Sequence, residues 1–330
     1  MSQKKAMNGS GGSTRADPQG RRISRESLER TAREISEKQQ WVFWNRQATL
    51  PPIGLITRAW VEPIEGGEYQ LKYSGYWLDD EDTQSLLESG LLGLDLTRED
   101  VDKEIGLVLP FESGQLSFYY DPRTIDDRDA APVLAKINKL VPIESDHYYK
   151  KAEPPSAYLW ILVGFAGGQI ASSLFLKQGA GSPEAAIKAG IRFYRSLAKN
   201  IAVLLGKARL EGRRPDIIWG MPIPDAETII EGASEEAEER EIEGALERLP
   251  MLYAAARHLV VSNPPGTFTQ MKFLYLPEQK IWDINYLVLK EAKRVILGAR
   301  YFAGNHPLRA RYEMALQEAE AEANQAAEKS

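Results

Sequence analysis

The 330-residue chain contains no cysteine. Disulfides, thiolate nucleophiles, zinc fingers and iron–sulfur clusters are therefore excluded. Histidine is almost as scarce: His147, His258 and His306 are the only three, and none stands in an HxxxH or HxH spacing. A metal centre built from them would need a long-range convergence that no motif announces, so no cofactor or metal is expected. Phosphate loops are missing too. There is no GxxxxGK[ST], and the Gly164-to-Gly168 stretch is not a dinucleotide fingerprint. Neither a GxSxG elbow nor a kinase signature is present. No constellation of catalytic residues stands out, and the expectation is a non-catalytic protein.

What is present is the composition of a folded chain. Residues of the apolar set make up 43% and charged residues 27%, with a formal net charge of −6. That sign argues against nucleic acid as a partner of the whole chain. Residues 1–23 are rich in Gly, Ser, Lys and Arg and have no apolar run, so they read as a solvated, disordered tail rather than a secretory signal. The expected location is the cytoplasm, with a peripheral membrane position as the variant.

The fold class expected is α+β, in two small domains. Residues 24–150 form an acidic, β-rich domain: a helix over 24–40 capped by Ser24, then strands over 53–61, 68–78, 105–111 and 115–120. Short helices over 79–90 and 97–104 separate the strand pairs, and a helix over 131–140 completes the unit. Within it, Trp60, Tyr73, Tyr76 and Trp77 are aromatic groups with potential to be exposed. Residues 151–306 form a second domain with helices over 183–210 and 226–259 and strands over 216–222, 267–276 and 280–287. Residues 307–330 are read as a C-terminal helix and tail.

The strongest signal is the uncharged twenty-residue run at 157–176, AYLWILVGFAGGQIASSLFL. Read as a helix, it aligns Gly164, Gly168 and Ser172 on one face, a small-xxx-small pattern that lets two backbones approach closely. Its length matches a bilayer core, about 30 Å. The basic segment that follows strengthens a membrane role, whereas Gln169, Ser172, Ser173, three glycines and the need to carry the 156 preceding residues across argue against a full span. A third reading is a buried strand over Tyr158–Phe165, a turn at Ala166-Gly167-Gly168 and a second element over Ile170–Leu176, because periodicity cannot assign a continuous apolar run.

Between Pro183 and Arg214 eight cations face two anions, and Lys188, Arg192, Arg195 and Lys199 lie on the amphipathic helix. These four are the candidate contacts for an anionic lipid surface or another partner. The segment 225–248 has the opposite bias, ten carboxylates against two arginines. Two long helices of opposite sign in one domain are expected to pack side by side.

The reading these features favour is a binding or assembly protein that self-associates through 157–176, its partner being itself or another protein. A membrane-associated effector or adaptor using 157–214 is the second reading. The third is a magnesium-dependent nuclease-like enzyme built on Asp216 and Glu278-Gln279-Lys280, weakened because Glu278 falls in a hairpin turn.

Overall fold

The computed structural model describes residues 5–16, 20, 22–43, 49–78, 83–86, 108–110, 116–147, 158–163, 165–167, 183–208, 215–223, 228–264, 266–290, 293–302, 310–315, 317–318 and 321. Its helices and sheets make an α+β fold. The chain divides into two compact units, Met1–Ser85 with Ala299–Ser330, and Leu86–Gly298. The boundary expected near residue 150 is thus displaced. The strand at Leu116–Tyr120 pairs with Tyr158–Val163, on the far side of that expected boundary, and the C-terminal segment belongs with the first unit.

In the first unit, strands β1 (Ala6–Ser13), β2 (Gln40–Val42), β3 (Gly54–Ile64) and β4 (Glu68–Trp77) form an antiparallel sheet in the order β1-β4-β3-β2. Helix α1 (Arg25–Lys38) lies on one face. Ser24 caps it by accepting from the Ser27 amide at 3.2 Å, and Leu28, Ala32 and Ile35 bury the expected stripe against Met7, Ile56, Ala59 and Leu71. Near the C-terminus, the hydroxyls of Tyr301 and Tyr312 donate to the carbonyls of Thr49 and Pro52, each at 3.4 Å.

β1 corrects the expectation of a disordered tail over residues 1–23. Composition misled because the glycines of Ala6–Ser13 have packing roles. A side chain at Gly9 would fall on the Tyr73 ring directly across the pair, so only glycine admits that ring. The end of the strand is pinned as well. The Thr14 hydroxyl donates to the Glu68 carboxylate and accepts from the Tyr69 amide at 2.8 Å, while Arg22 donates to Glu68 at 2.9 Å. The Thr14 hydrogen bond, with Arg22 adding to it, holds the Glu68 carboxyl below its usual range.

A short strand, β5 (Thr83–Ser85), stands where a helix over 79–90 was expected; the remaining described residue of that range, Leu86, is not helical. The expected helix over 97–104 lies outside the described residues.

The second unit contains β6 (Val108–Pro110), β7 (Leu116–Tyr120), α2 (Asp127–Leu140), β8 (Ile143–His147), β9 (Tyr158–Val163), β10 (Phe165–Gly167) and α3 (Pro183–Leu205). Then come β11 (Asp216–Pro222), β12 (Ile229–Ser234), α4 (Glu239–Val261), β13 (Phe268–Leu276), β14 (Ile281–Leu289) and β15 (Val295–Leu297). β10 and β6 pair by themselves; the others share one mixed sheet running β15-β14-β13-β12-β11-β9-β7-β8. Three strand–helix–strand steps build it: β7-α2-β8, β9-α3-β11 and β12-α4-β13, each joining parallel neighbours. The helices pack together over one face, with Leu197, Ile201, Ile242, Leu246, Trp219 and Phe273 in a single core.

Two further expectations change here. The uncharged run is not a helix at its start: β9 forms there, as the third reading expects, because Leu159, Ile161 and Val163 alternate into the core, whereas Ala166 and Gly167, expected in a turn, belong to β10. No described helix is long and apolar enough to cross a membrane. The helix expected over 226–259 starts only at Glu239. Residues 229–234 form β12 instead, where Gly232 leaves room for the Trp282 ring of β14.

The other face of the sheet is buried as well, and it carries an ion pair. Lys272 of β13 and Glu231 of β12 are direct neighbours in the parallel register, 1% and 5% exposed. Lys272 Nζ donates to Glu231 Oε2 at 2.8 Å, and Gln270 Nε2 donates to the same oxygen at 2.8 Å. Removing one partner strands a buried charge, whereas replacing both leaves an apolar pair. Lys272→Met is therefore expected to cost about 3–5 kcal/mol in urea unfolding, and the Lys272→Met/Glu231→Leu double variant to recover most of that loss.

Candidate functional site

The residues singled out from sequence fall partly outside the described residues. Gly164, Gly168 and Ser172 lie outside the described residues. The helix meant to align them is not formed where it would begin, since Tyr158–Val163 and Phe165–Gly167 are strands, in which residues four apart lie about 13 Å from one another rather than one helical turn. Lys188 lies within α3; Arg192, Arg195 and Lys199 are exposed farther along it. Of these, Arg195 is engaged: its Nε donates to Glu243 Oε1 of α4 at 3.1 Å. α3 and α4 do lie side by side, and the half-buried Tyr194 of α3 has its phenol raised by desolvation and further by Glu247.

The remaining motifs stay apart. Asp216 opens β11 and accepts from the Glu236 amide at 3.2 Å, while Glu278 is exposed in the β13–β14 turn, beyond the intervening strand β12. His258 of α4 stands 3.4 Å from the Ser262 hydroxyl. No group of three or more His, Asp or Glu placed to hold a metal occurs among the described residues.

The surface that stands out is instead a strand edge, the outer edge of β1. In an antiparallel ladder, residues alternate between turning both backbone polar groups to the neighbour and turning both away. The Trp77 amide donates to the Lys5 carbonyl at 3.0 Å. Lys5, Met7 and Gly9 therefore face β4, and Ala6, Asn8 and Ser10 present N–H and C=O outward. All three outward residues are exposed, and none has another hydrogen-bond partner among the described residues. α1 packs chiefly over β3 and β4.

The free part of β3 and the edge of β8 are closed. β2 pairs with only the first residues of β3, Gly54–Ile56, so the rest of β3 has a free side. There the Ser36 hydroxyl accepts from the Ala59 amide at 3.0 Å and donates to the Ala59 carbonyl at 3.1 Å. Two residues past Val61, Pro63 has no N–H to offer. In the large sheet the edge strand β8 is guarded by exposed Glu144 and Asp146. Charge, proline and a covering side chain are the usual means of closing an edge. β1, with sequence AMNGSGGS, has none of the three.

Comparison with protein-family models, curated proteins and solved structures finds no match to this chain.

The desolvated Tyr194 phenol leads to an alkaline test. Its folded-state pKa lies above the unfolded value, about 10 for a free phenol. The stability tied to the neutral ring is thus fully present below pH 10 and is lost as the pH rises further. Unfolding free energy should fall steeply above about pH 10, and Tyr194→Phe should flatten that fall in denaturant titrations.

Proposed function

We propose that the protein is a non-catalytic assembly module that pairs with a second copy of itself through β1. The observation that supports this reading is the uncharged outer edge at Ala6, Asn8 and Ser10, in contrast to the covered free part of β3 and the charged edge of β8. Self-pairing fits because the edge is self-complementary under a two-fold axis. With Asn8 opposite Asn8 of the partner copy, Ala6 stands opposite the partner's Ser10. Every outward N–H then meets a carbonyl, giving about six hydrogen bonds at ladder geometry. No like charges meet within the paired residues. The two four-stranded sheets would become one continuous sheet, an isologous contact that closes on itself. This keeps the self-association read from sequence and moves it from 157–176 to the N-terminal strand.

Asn8→Pro removes only an outward N–H and leaves the pairing with β4 intact, and Ser10→Lys places a charge on the edge. Sedimentation equilibrium of the wild-type chain at micromolar concentration is expected to show a dimer. Either substitution should raise the dissociation constant by about tenfold or more, corresponding to loss of one to two net hydrogen bonds. A wild-type chain that stays monomeric up to the highest soluble concentration would remove the reading.

A further inference from the structure

A groove in the second unit, about 660 Å³ in volume, runs between α4 and the β13–β14 turn, with Arg195 of α3 at its rim. Its floor is Tyr275. The residue is 5% exposed, its ring 5.2 Å from Trp282, and a side chain on Gly244 of α4 would occupy the position of its hydroxyl. Trp282 is held in turn by donating from its indole to the Ala245 carbonyl at 3.3 Å. The ring is therefore clamped from both sides. Its hydroxyl has no hydrogen-bond partner among the described residues and is not fully buried, so this end of the ring opens into the groove and is free to donate there.

The charges around that hydroxyl divide into engaged and unengaged groups. Glu243 is paired with Arg195, and Glu247 lies 3.8 Å from Arg248. Glu241 accepts from the Glu238 amide at 2.8 Å, closing the first turn of α4. Three of the four carboxylates are thus occupied. Arg240 and Lys280 have no ion pair or hydrogen bond among the described residues, and Glu278 is the one carboxylate in the same state. Lys280 is held at a positive φ of 55° at the end of the turn, a conformation fixed by the four-residue hairpin loop. The unengaged charge is two cations against one anion, beside a hydroxyl that opens into the groove and can donate.

We infer that this groove binds the oxyanion end of a small molecule, a phosphate or carboxylate group that accepts from the Tyr275 hydroxyl and lies between Arg240 and Lys280. Burial raises the Tyr275 phenol, with Glu247 and Glu241 adding to it and Arg248 opposing, so the hydroxyl keeps its proton and acts as a donor at neutral pH. A fork-shaped guanidinium and a mobile ammonium are complementary ways of meeting the same oxyanion. The site is independent of the β1 edge, and either proposal can fail alone.

Calorimetric titration of the full chain with inorganic phosphate and, separately, with succinate tests this. At least one of the two is expected to bind, and the stronger one identifies the source as a phosphoryl or a carboxyl group. Tyr275→Phe should weaken that binding about tenfold, the loss of one hydrogen bond to a charged group. Arg240→Ala/Lys280→Ala should abolish it, and because both residues are exposed this variant should keep the wild-type circular dichroism. Lys199→Ala, an exposed cation of α3 outside the groove, should bind as wild type. Absence of binding by both anions at tens of millimolar, or binding that the Tyr275 and Arg240/Lys280 variants leave unchanged, would overturn the inference.

Discussion

Every strand edge in this protein has to satisfy, cover or leave open a row of backbone N–H and C=O groups, and that requirement organises the rest of the structure. An uncovered polar backbone group is tolerable in water and costly where water is excluded. The chain meets the requirement by different means in different places. Ser36 reaches from α1 to close Ala59, Pro63 omits a donor, and Glu144 and Asp146 charge the edge at β8. β1 is left with ordered, uncharged, outward-facing groups. An edge held in register by Tyr73 over Gly9, and by Thr14 and Arg22 on Glu68, is preorganised, so a second strand would lose little of its binding energy to ordering it.

In the second unit, register has the same governing role. Lys272 and Glu231 fix β12 against β13 on one face of the sheet, which puts Phe273 and Tyr275 on the other face, under α4. A slip of one residue would bury neither the charges nor the aromatics correctly. The groove depends on this arrangement, since its floor is a β13 residue and its wall is the first half of α4. An ion pair buried in a sheet adds little net stability, but it makes the wrong register expensive.

Much of the fold was legible from local pattern. α1 with its Ser24 cap, the β3–β4 hairpin, β11, the β13–β14 hairpin and the side-by-side packing of α3 and α4 all follow from periodicity, turn residues or charge. The failures have physical causes. β1 looks disordered because its glycines are explained by rings on another strand, information absent from the segment itself. β12 was absorbed into an acidic helix because Glu231, Glu235 and Glu236 suit an exposed helix face, whereas Glu231 is buried opposite a lysine forty-one residues away. The candidate sites were harder still. Arg195 was singled out for its charge and lies at the groove, but Tyr275 resembles any other strand tyrosine until Gly244 and Trp282 are seen around it.

Amide hydrogen exchange at Ala6, Asn8 and Ser10, followed as the protein is diluted, tests the central claim most directly. If β1 pairs with its copy, these three amides are protected at high concentration and lose that protection together on dilution, while those of Met7 and Gly9 remain protected throughout. Fast exchange at Ala6, Asn8 and Ser10 at every concentration would contradict the account.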